Sequence, residues 1–138
     1  MVGGFAESDV EEAALVWFDG LRYSVVNGAD IAPGELLAER EDYSQVVLQH
    51  RLRDALARLN DLPEEALDEA FRRIVRADGP TLAARNHDMH RMLVDGVTVE
   101  YKRSDGSIAG AQAKVLDFDD PENNDWLAVN QFTIIENK

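Results

Sequence analysis

Carboxylates are the side chains best placed to do chemistry in this sequence, and they gather in two stretches. Glu7, Asp9, Glu11 and Glu12 crowd the start of the first apolar-periodic segment, and Asp117, Asp119, Asp120, Glu122 and Asp125 crowd a turn near the other end. Carboxylates at close spacing can hold a hard cation or divide acid and base roles between them. The first group also has a plainer reading, because acids in the first turn of a helix are stabilised by the helix dipole. The second group fails as a calcium loop. Counting from Asp117, the sixth position needs a glycine and has Glu122, and the twelfth needs a bidentate acid and has Ala128. A solvated acidic turn, made of residues that tight turns select, fits it better. His87 and His90 in "HDMH" would be neighbours on a helix surface. A third ligand would have to come from His50 or a distant carboxylate, so no metal site is assigned. The chain has no cysteine, which removes thiolate nucleophiles, disulfides and cysteine zinc sites. It contains no G-x-S-x-G, Walker A or G-x-G-x-x-G pattern.

Charge narrows the partners. Against 27 Asp and Glu stand 14 Lys and Arg, a formal net charge of −13, so the chain as a whole is a poor nucleic-acid binder unless its bases are segregated. They are partly so: Arg51, Arg53, Arg58, Arg72, Arg73, Arg76, Arg85 and Arg91 hold most of the positive charge. These are either solvated helix faces or, through Arg72, Arg73 and Arg76, a contact for DNA or a partner subunit. No apolar run approaches the roughly 20 residues of a membrane helix, and no signal-peptide pattern opens the chain. The expected location is the cytoplasm, with no membrane partner.

The elements that must position these groups follow from periodicity. At 138 residues and 45% hydrophobic, the chain suits one folded domain. Val10, Ala13, Ala14, Trp17, Phe18 and Leu21 mark one face of a helix over 8–19, with Ser8 and Glu11 as an S-x-x-E capping box and Gly20 as its stop. A short strand is expected over 22–27, followed by the Gly- and Pro-rich loop "NGADIAPGE". A helical insertion spans 40–94. Its first helix covers 40–60, its second has Pro63 in the first turn and Arg72, Arg73 and Arg76 at the far end, and its third covers 81–94 and stops at Asp95-Gly96. The period then falls to two. Residues 97–118 read as a β-hairpin turning at Asp105-Gly106, and 126–136 as a terminal strand with apolar groups on both sides. Such a strand invites pairing between two copies.

"FAESDVEEAALVWFDGLRYSVVNGADIAPGE" and "FDDPENNDWLAVNQFTIIEN", with "EREDYSQVVL", "LRDALARLN", "LPEEALDEAF", "LVDGVTVEY" and "DGSI" between them, carry more than periodicity. Together, in this order, they resemble the N-terminal region of the restriction (R, endonuclease) subunit of type I restriction-modification enzymes, over essentially the whole chain. The resemblance implies an α+β fold containing an incomplete PD-(D/E)xK nuclease-like core, with the helical insertion and β-hairpin. It implies a subunit that in full length cleaves unmodified foreign DNA, using Mg²⁺ and ATP, in company with modification and specificity subunits. The family's catalytic Asp and E-x-K follow the "NQFTIIEN" strand. This chain alone is therefore expected to be a catalytically inert fragment with no cofactor or metal of its own. Glu7 and Glu11 match the family's E-x-x-x-E pattern and are the accessory catalytic candidates. A reading from another class is an acidic, non-catalytic binding module, either a DNA mimic or a scaffold for another subunit.

Overall fold

The computed structural model describes residue 4 and residues 6–136. In chain order the elements are α1 (Glu7–Gly20), β1 (Ser24–Asn27), α2 (Gln49–Leu59), α3 (Glu64–Val75), α4 (Leu82–Asp95), β2 (Val97–Lys102), β3 (Ile108–Ala113), a 3-10 turn at Pro121–Asn123, and β4 (Leu127–Asn130). They divide into two compact units. One comprises the described residues up to Leu48 together with those from Asp125 onward, and the other is Gln49–Asn124, inserted between its halves.

In the first unit β1 and β4 form a parallel pair, Ser24 opposite Leu127 through Asn27 opposite Asn130. Parallel strands need a long crossover connection, and here that connection contains the entire inserted unit. The cap of α1 differs from the S-x-x-E box expected at Ser8 and Glu11. Ala6 is the N-cap residue, and Asp9 accepts its N–H at 3.0 Å, so Ser8 lies inside the first turn. The helix also runs past its expected stop. Arg22 takes the left-handed conformation at φ 71°, donating to Asp19 O at 3.0 Å, while Tyr23 donates to Phe18 O at 2.9 Å. This pair of bonds is a Schellman ending, completed by packing of the Phe18 and Tyr23 rings 4.9 Å apart. Gly20 is the last helical residue instead, and β1 begins only at Ser24 because Arg22 and Tyr23 close the helix. β4 is shorter than the strand expected over 126–136. Gln131 has φ 52°, which turns the chain out of the ladder after Asn130.

The helix expected from residue 40 starts at Gln49. Tyr43, Val46 and Val47 have helical spacing, but the polar side chains between them capture the backbone first. Asp42 Oδ1 accepts from the Ser44 N–H at 2.6 Å and from its hydroxyl, Gln45 Oε1 accepts from Glu41 N–H at 3.1 Å, and Gln45 Nε2 donates to Val47 O at 3.0 Å. Such local bonds compete with helix formation.

In the inserted unit Pro63 is the extended N-cap of α3, immediately before the helix, rather than a first-turn residue. Thr81 Oγ1 accepts from Ala84 N–H at 3.1 Å to start α4, and Gly96, at φ 84°, ends it. β2 and β3 are antiparallel, turning at Gly106 with φ 86°. β3 ends at Ala113, not near 118, because Asn60 takes both backbone groups of Lys114. Its Oδ1 accepts Lys114 N–H at 2.7 Å, and its Nδ2 donates to Lys114 O at 2.9 Å. Leu56, Ala66, Ala70, Phe71, Ile74, Met92, Val97, Val99 and Ala113 form the core between helices and hairpin. Leu56, Val97 and Val99 are each 1% exposed, worth about 1.5–3 kcal/mol apiece by apolar burial.

Candidate functional site

The two carboxylates singled out in α1 share an open groove of about 630 Å³ in the first unit, between that helix and residues 127–131. They do not share an environment. Glu7 is exposed, whereas Glu11, one turn on, is half-buried and held by amides from the end of β4. Asn130 Nδ2 donates to Glu11 Oε1 at 2.8 Å, and Gln131 Nε2 reaches Oε1 and Oε2 at 3.1 and 3.0 Å. Strict alternation would put Asn130 and Gln131 on opposite faces of a strand. The left-handed φ of Gln131 breaks that alternation, and both amides converge on one carboxylate. Freed from the capping role that Asp9 fills, Glu11 is fixed at the C-terminal end of a parallel strand. Apolar walls from Val10, Ala14, Phe18 and Leu127 flank it. The Asn-Gln dipeptide at the strand's end is the signal for this arrangement, and periodicity alone passes over it.

Gly28 seals the same corner. Its N–H donates to Asn130 O at 2.7 Å, and a Cβ there would collide with the Asn130 and Gln131 carbonyl oxygens. Only glycine permits this approach of the β1 exit to the clamp.

The inserted unit separates Arg72, Arg73 and Arg76 by role. Arg73 Nη1 donates to Thr98 O at 2.6 Å, fastening α3 to β2. Arg72 and Arg76, four apart, remain exposed. Two arginines of α2 are likewise committed within the unit. Arg53 pairs with Asp68 at 3.0 Å and lies 3.8 Å over the Phe71 ring, and Arg58 Nε donates to Asn123 O at 3.0 Å.

The acidic stretch after the hairpin is a tied turn. Asp117 Oδ1 accepts from the Asp119 and Asp120 N–H groups, each at 3.0 Å, and Oδ2 accepts from Asn123 Nδ2 at 3.0 Å. The Asn123 amide first, then these backbone donors, hold the Asp117 carboxyl below its ordinary value. His87 and His90 are both exposed on α4. Among the described residues, no three His, Asp or Glu side chains group as a metal site, and no helix is long and apolar enough to cross a membrane.

Residues 4–138 match the family model described as "Type I restriction enzyme R protein N terminus". The chain is 34% identical over 133 residues to the type I restriction enzyme HindI endonuclease subunit of Haemophilus influenzae, covering 96% of this chain and 12% of that protein. It is 30% identical over 126 residues to the MjaIXP endonuclease subunit of Methanocaldococcus jannaschii, itself provisionally named as a type I restriction enzyme, covering 91% of this chain and 12% of that one. The chain thus spans about an eighth of the length of these curated relatives. No solved structure matches it.

Proposed function

We propose that this chain, which belongs to the type I restriction enzyme R protein N-terminal family, serves as the opening part of a nuclease domain in a subunit that cleaves unmodified foreign DNA. The reading extends to a PD-(D/E)xK core, to Mg²⁺ and ATP dependence of the whole subunit, to a cytoplasmic location, and to assembly with modification and specificity subunits. One observation of the structure carries it beyond the family match: Glu11 is held by two amides at the C-terminal end of β4. Open sheets with parallel strands place ligands outside those strand ends. A carboxylate fixed there is suited to orient a metal-bound water or a neighbouring ligand rather than to cap its own helix.

Mg²⁺ demands near-octahedral oxygen ligands. The described residues offer Glu11 and the exposed Glu7 but no group of three ligands, so they do not constitute a Mg²⁺ site and no catalytic step is assigned to them. In this reading cleavage is the work of the whole subunit, and no cutting is expected from these 138 residues by themselves.

The experiment uses the complete subunit with its partner subunits on unmodified plasmid, with ATP and Mg²⁺. Wild type is expected to cut. Glu11→Ala should lower the cutting rate tenfold or more while ATP hydrolysis stays within about twofold, the pattern of a defect confined to cleavage. Absence of cutting by the wild-type assembly would overturn the nuclease reading and favour an acidic scaffold. Unchanged cutting by Glu11→Ala would remove Glu11 from it.

A further inference from the structure

β4 has a strand partner on one side only. Its register with β1, Ser24 opposite Leu127 through Asn27 opposite Asn130, is that of a parallel ladder, in which alternate residues turn both backbone groups toward the partner. Ser24 N–H donates to Trp126 O at 2.8 Å and Gly28 N–H to Asn130 O at 2.7 Å, so the even-numbered residues of this stretch bond to β1. The N–H and C=O groups of Leu127 and Val129 therefore point out of the opposite edge, where none of the described residues bonds to them. An open edge of this kind is a template for another strand.

The groove beside α1 lies along that open edge. Consecutive residues 127–131 line it, with one flank of α1 and Tyr23, whereas no residue of β1 does. Side chains alternate between the two faces of a strand, so a cavity that touches 127 to 130 in succession runs along the edge and not over one face. The helix flank is apolar and reaches beyond the groove. Glu11 turns to β4 through its bond with Asn130, and Val10 lies one residue, about 100°, round the helix from it. Val10, Ala14, Trp17 and Leu21 recur at i, i+4, i+7 and i+11 and so share that neighbouring flank. Val10 and Ala14 line the groove, yet Val10, Trp17 and Leu21 are 61%, 76% and 69% exposed. No residue of α1 is buried. An apolar flank of this size beside an open strand edge is half of an interface.

We propose that a further strand pairs with β4 along Leu127 and Val129, that it comes from the same polypeptide beyond these 138 residues, and that its apolar side packs beneath Val10, Ala14, Trp17 and Leu21. The family is described as the N terminus of the R protein and the chain matches 12% of each relative, so in the relatives a long polypeptide adjoins the matched residues. A tethered strand meets the edge at a high effective concentration that a free partner lacks. A second copy would instead bring another net charge of −13 against the first. The inference rests on family membership and not on the nuclease reading.

Hydrogen exchange of the complete subunit, resolved to single amides, tests it. Ser24 and Gly28 N–H, bonded within the β1–β4 pair, are the internal reference. Leu127 and Val129 N–H are expected to be protected as strongly as these, and to exchange at least about a hundredfold faster in the 138-residue protein by itself. Fast exchange of Leu127 and Val129 in the complete subunit, with Ser24 and Gly28 protected, would overturn the added strand. Equal protection in the 138-residue protein would overturn its origin beyond these residues, and a dimer mass in sedimentation would then assign the edge to a second copy. A photo-crosslinking p-benzoylphenylalanine in place of Trp17 is expected to join a peptide of the same subunit beyond residue 138. Linkage only to a second copy or to a modification or specificity subunit would overturn the tethered strand. The wild-type exchange pattern decides even if the substituted subunit does not fold.

Discussion

Glu11 Oε1 accepts a hydrogen bond from Asn130 Nδ2 at 2.8 Å, joining the first helix to the last strand across 119 positions of sequence. Between the two lies an entire second unit, so this contact, with the β1–β4 ladder, joins the two stretches of chain that make up the first unit. Hydrogen bonds to a charged group contribute about 1.5–3 kcal/mol when buried, and less at a half-buried position. Glu11→Ala should therefore lower the stability of the first unit by about 1–2 kcal/mol in urea titration. Glu11→Gln, which keeps an acceptor oxygen, should cost less. A double-mutant cycle with Asn130→Ala should show coupling of about 1 kcal/mol, and zero coupling would mean that the contact contributes nothing in solution.

Gly28→Ala tests the same corner from the other side. A Cβ at this position meets backbone carbonyl oxygens, which cannot rotate away as a side chain could. The strands must part or the β4 exit must shift, with a cost of about 2–4 kcal/mol, in the range of severe single substitutions. The accompanying sign is faster amide exchange at Gly28 and Ser24, whose N–H groups donate to Asn130 O and Trp126 O. Protection at both sites equal to wild type would rule this geometry out.

What is legible in the sequence is local. The helix marked by the spacing from Val10 to Leu21, the stop of α4 at Asp95-Gly96 and the Asp105-Gly106 turn each depend on neighbours a few residues away, and periodicity with turn chemistry reaches that far, although Val10, Trp17 and Leu21 of that helix stay exposed. What is illegible is decided by distant partners or by competition. The S-x-x-E match at Ser8 and Glu11 is a sound local pattern, yet Glu11 is claimed by amides from residues 130 and 131, and Asp9 takes the cap. Tyr43, Val46 and Val47 repeat like a helix, but Asp42 and Gln45 bond to the backbone first. Alternation continues through Ile135, while one left-handed residue, Gln131, ends the strand and creates the clamp. Arg40 is buried yet gives no sign of it, since a lone arginine in a polar loop reads as surface.

Acid should loosen the turn at Asp117. Its folded-state pKa lies below the ordinary 3.8, from the Asn123 amide first and then the Asp120 and Asp119 N–H groups. A depressed acid contributes stability that is present above the unfolded value and is lost as pH falls through the folded one. Asp117→Asn should melt below wild type at pH 7, with the gap closing as pH drops below about 4. A gap that stays constant down to about pH 2 would show that the carboxylate's charge plays no part.

The arginines of the inserted unit differ in what their loss should do, and the difference separates structure from contact. Arg53 is paired with Asp68 at side chains 51% and 46% exposed, so the ion pair is worth about 0–1 kcal/mol after solvent screening. Its stacking on Phe71 at 3.8 Å adds about 0.5–1 kcal/mol. Arg53→Ala should thus lower stability by about 1 kcal/mol, and Arg73→Ala, which loses the bond to Thr98 O, by a similar amount. Arg72 and Arg76 are exposed on α3, and replacing both by Glu should leave the melting temperature within a degree or two. If this face meets DNA in the complete subunit, the same double replacement should weaken binding and flatten the slope of log affinity against log salt by about 2, one per lost phosphate contact. An unchanged slope would assign all four arginines to solvated or structural roles, and the acidic balance of the chain would then govern its partners.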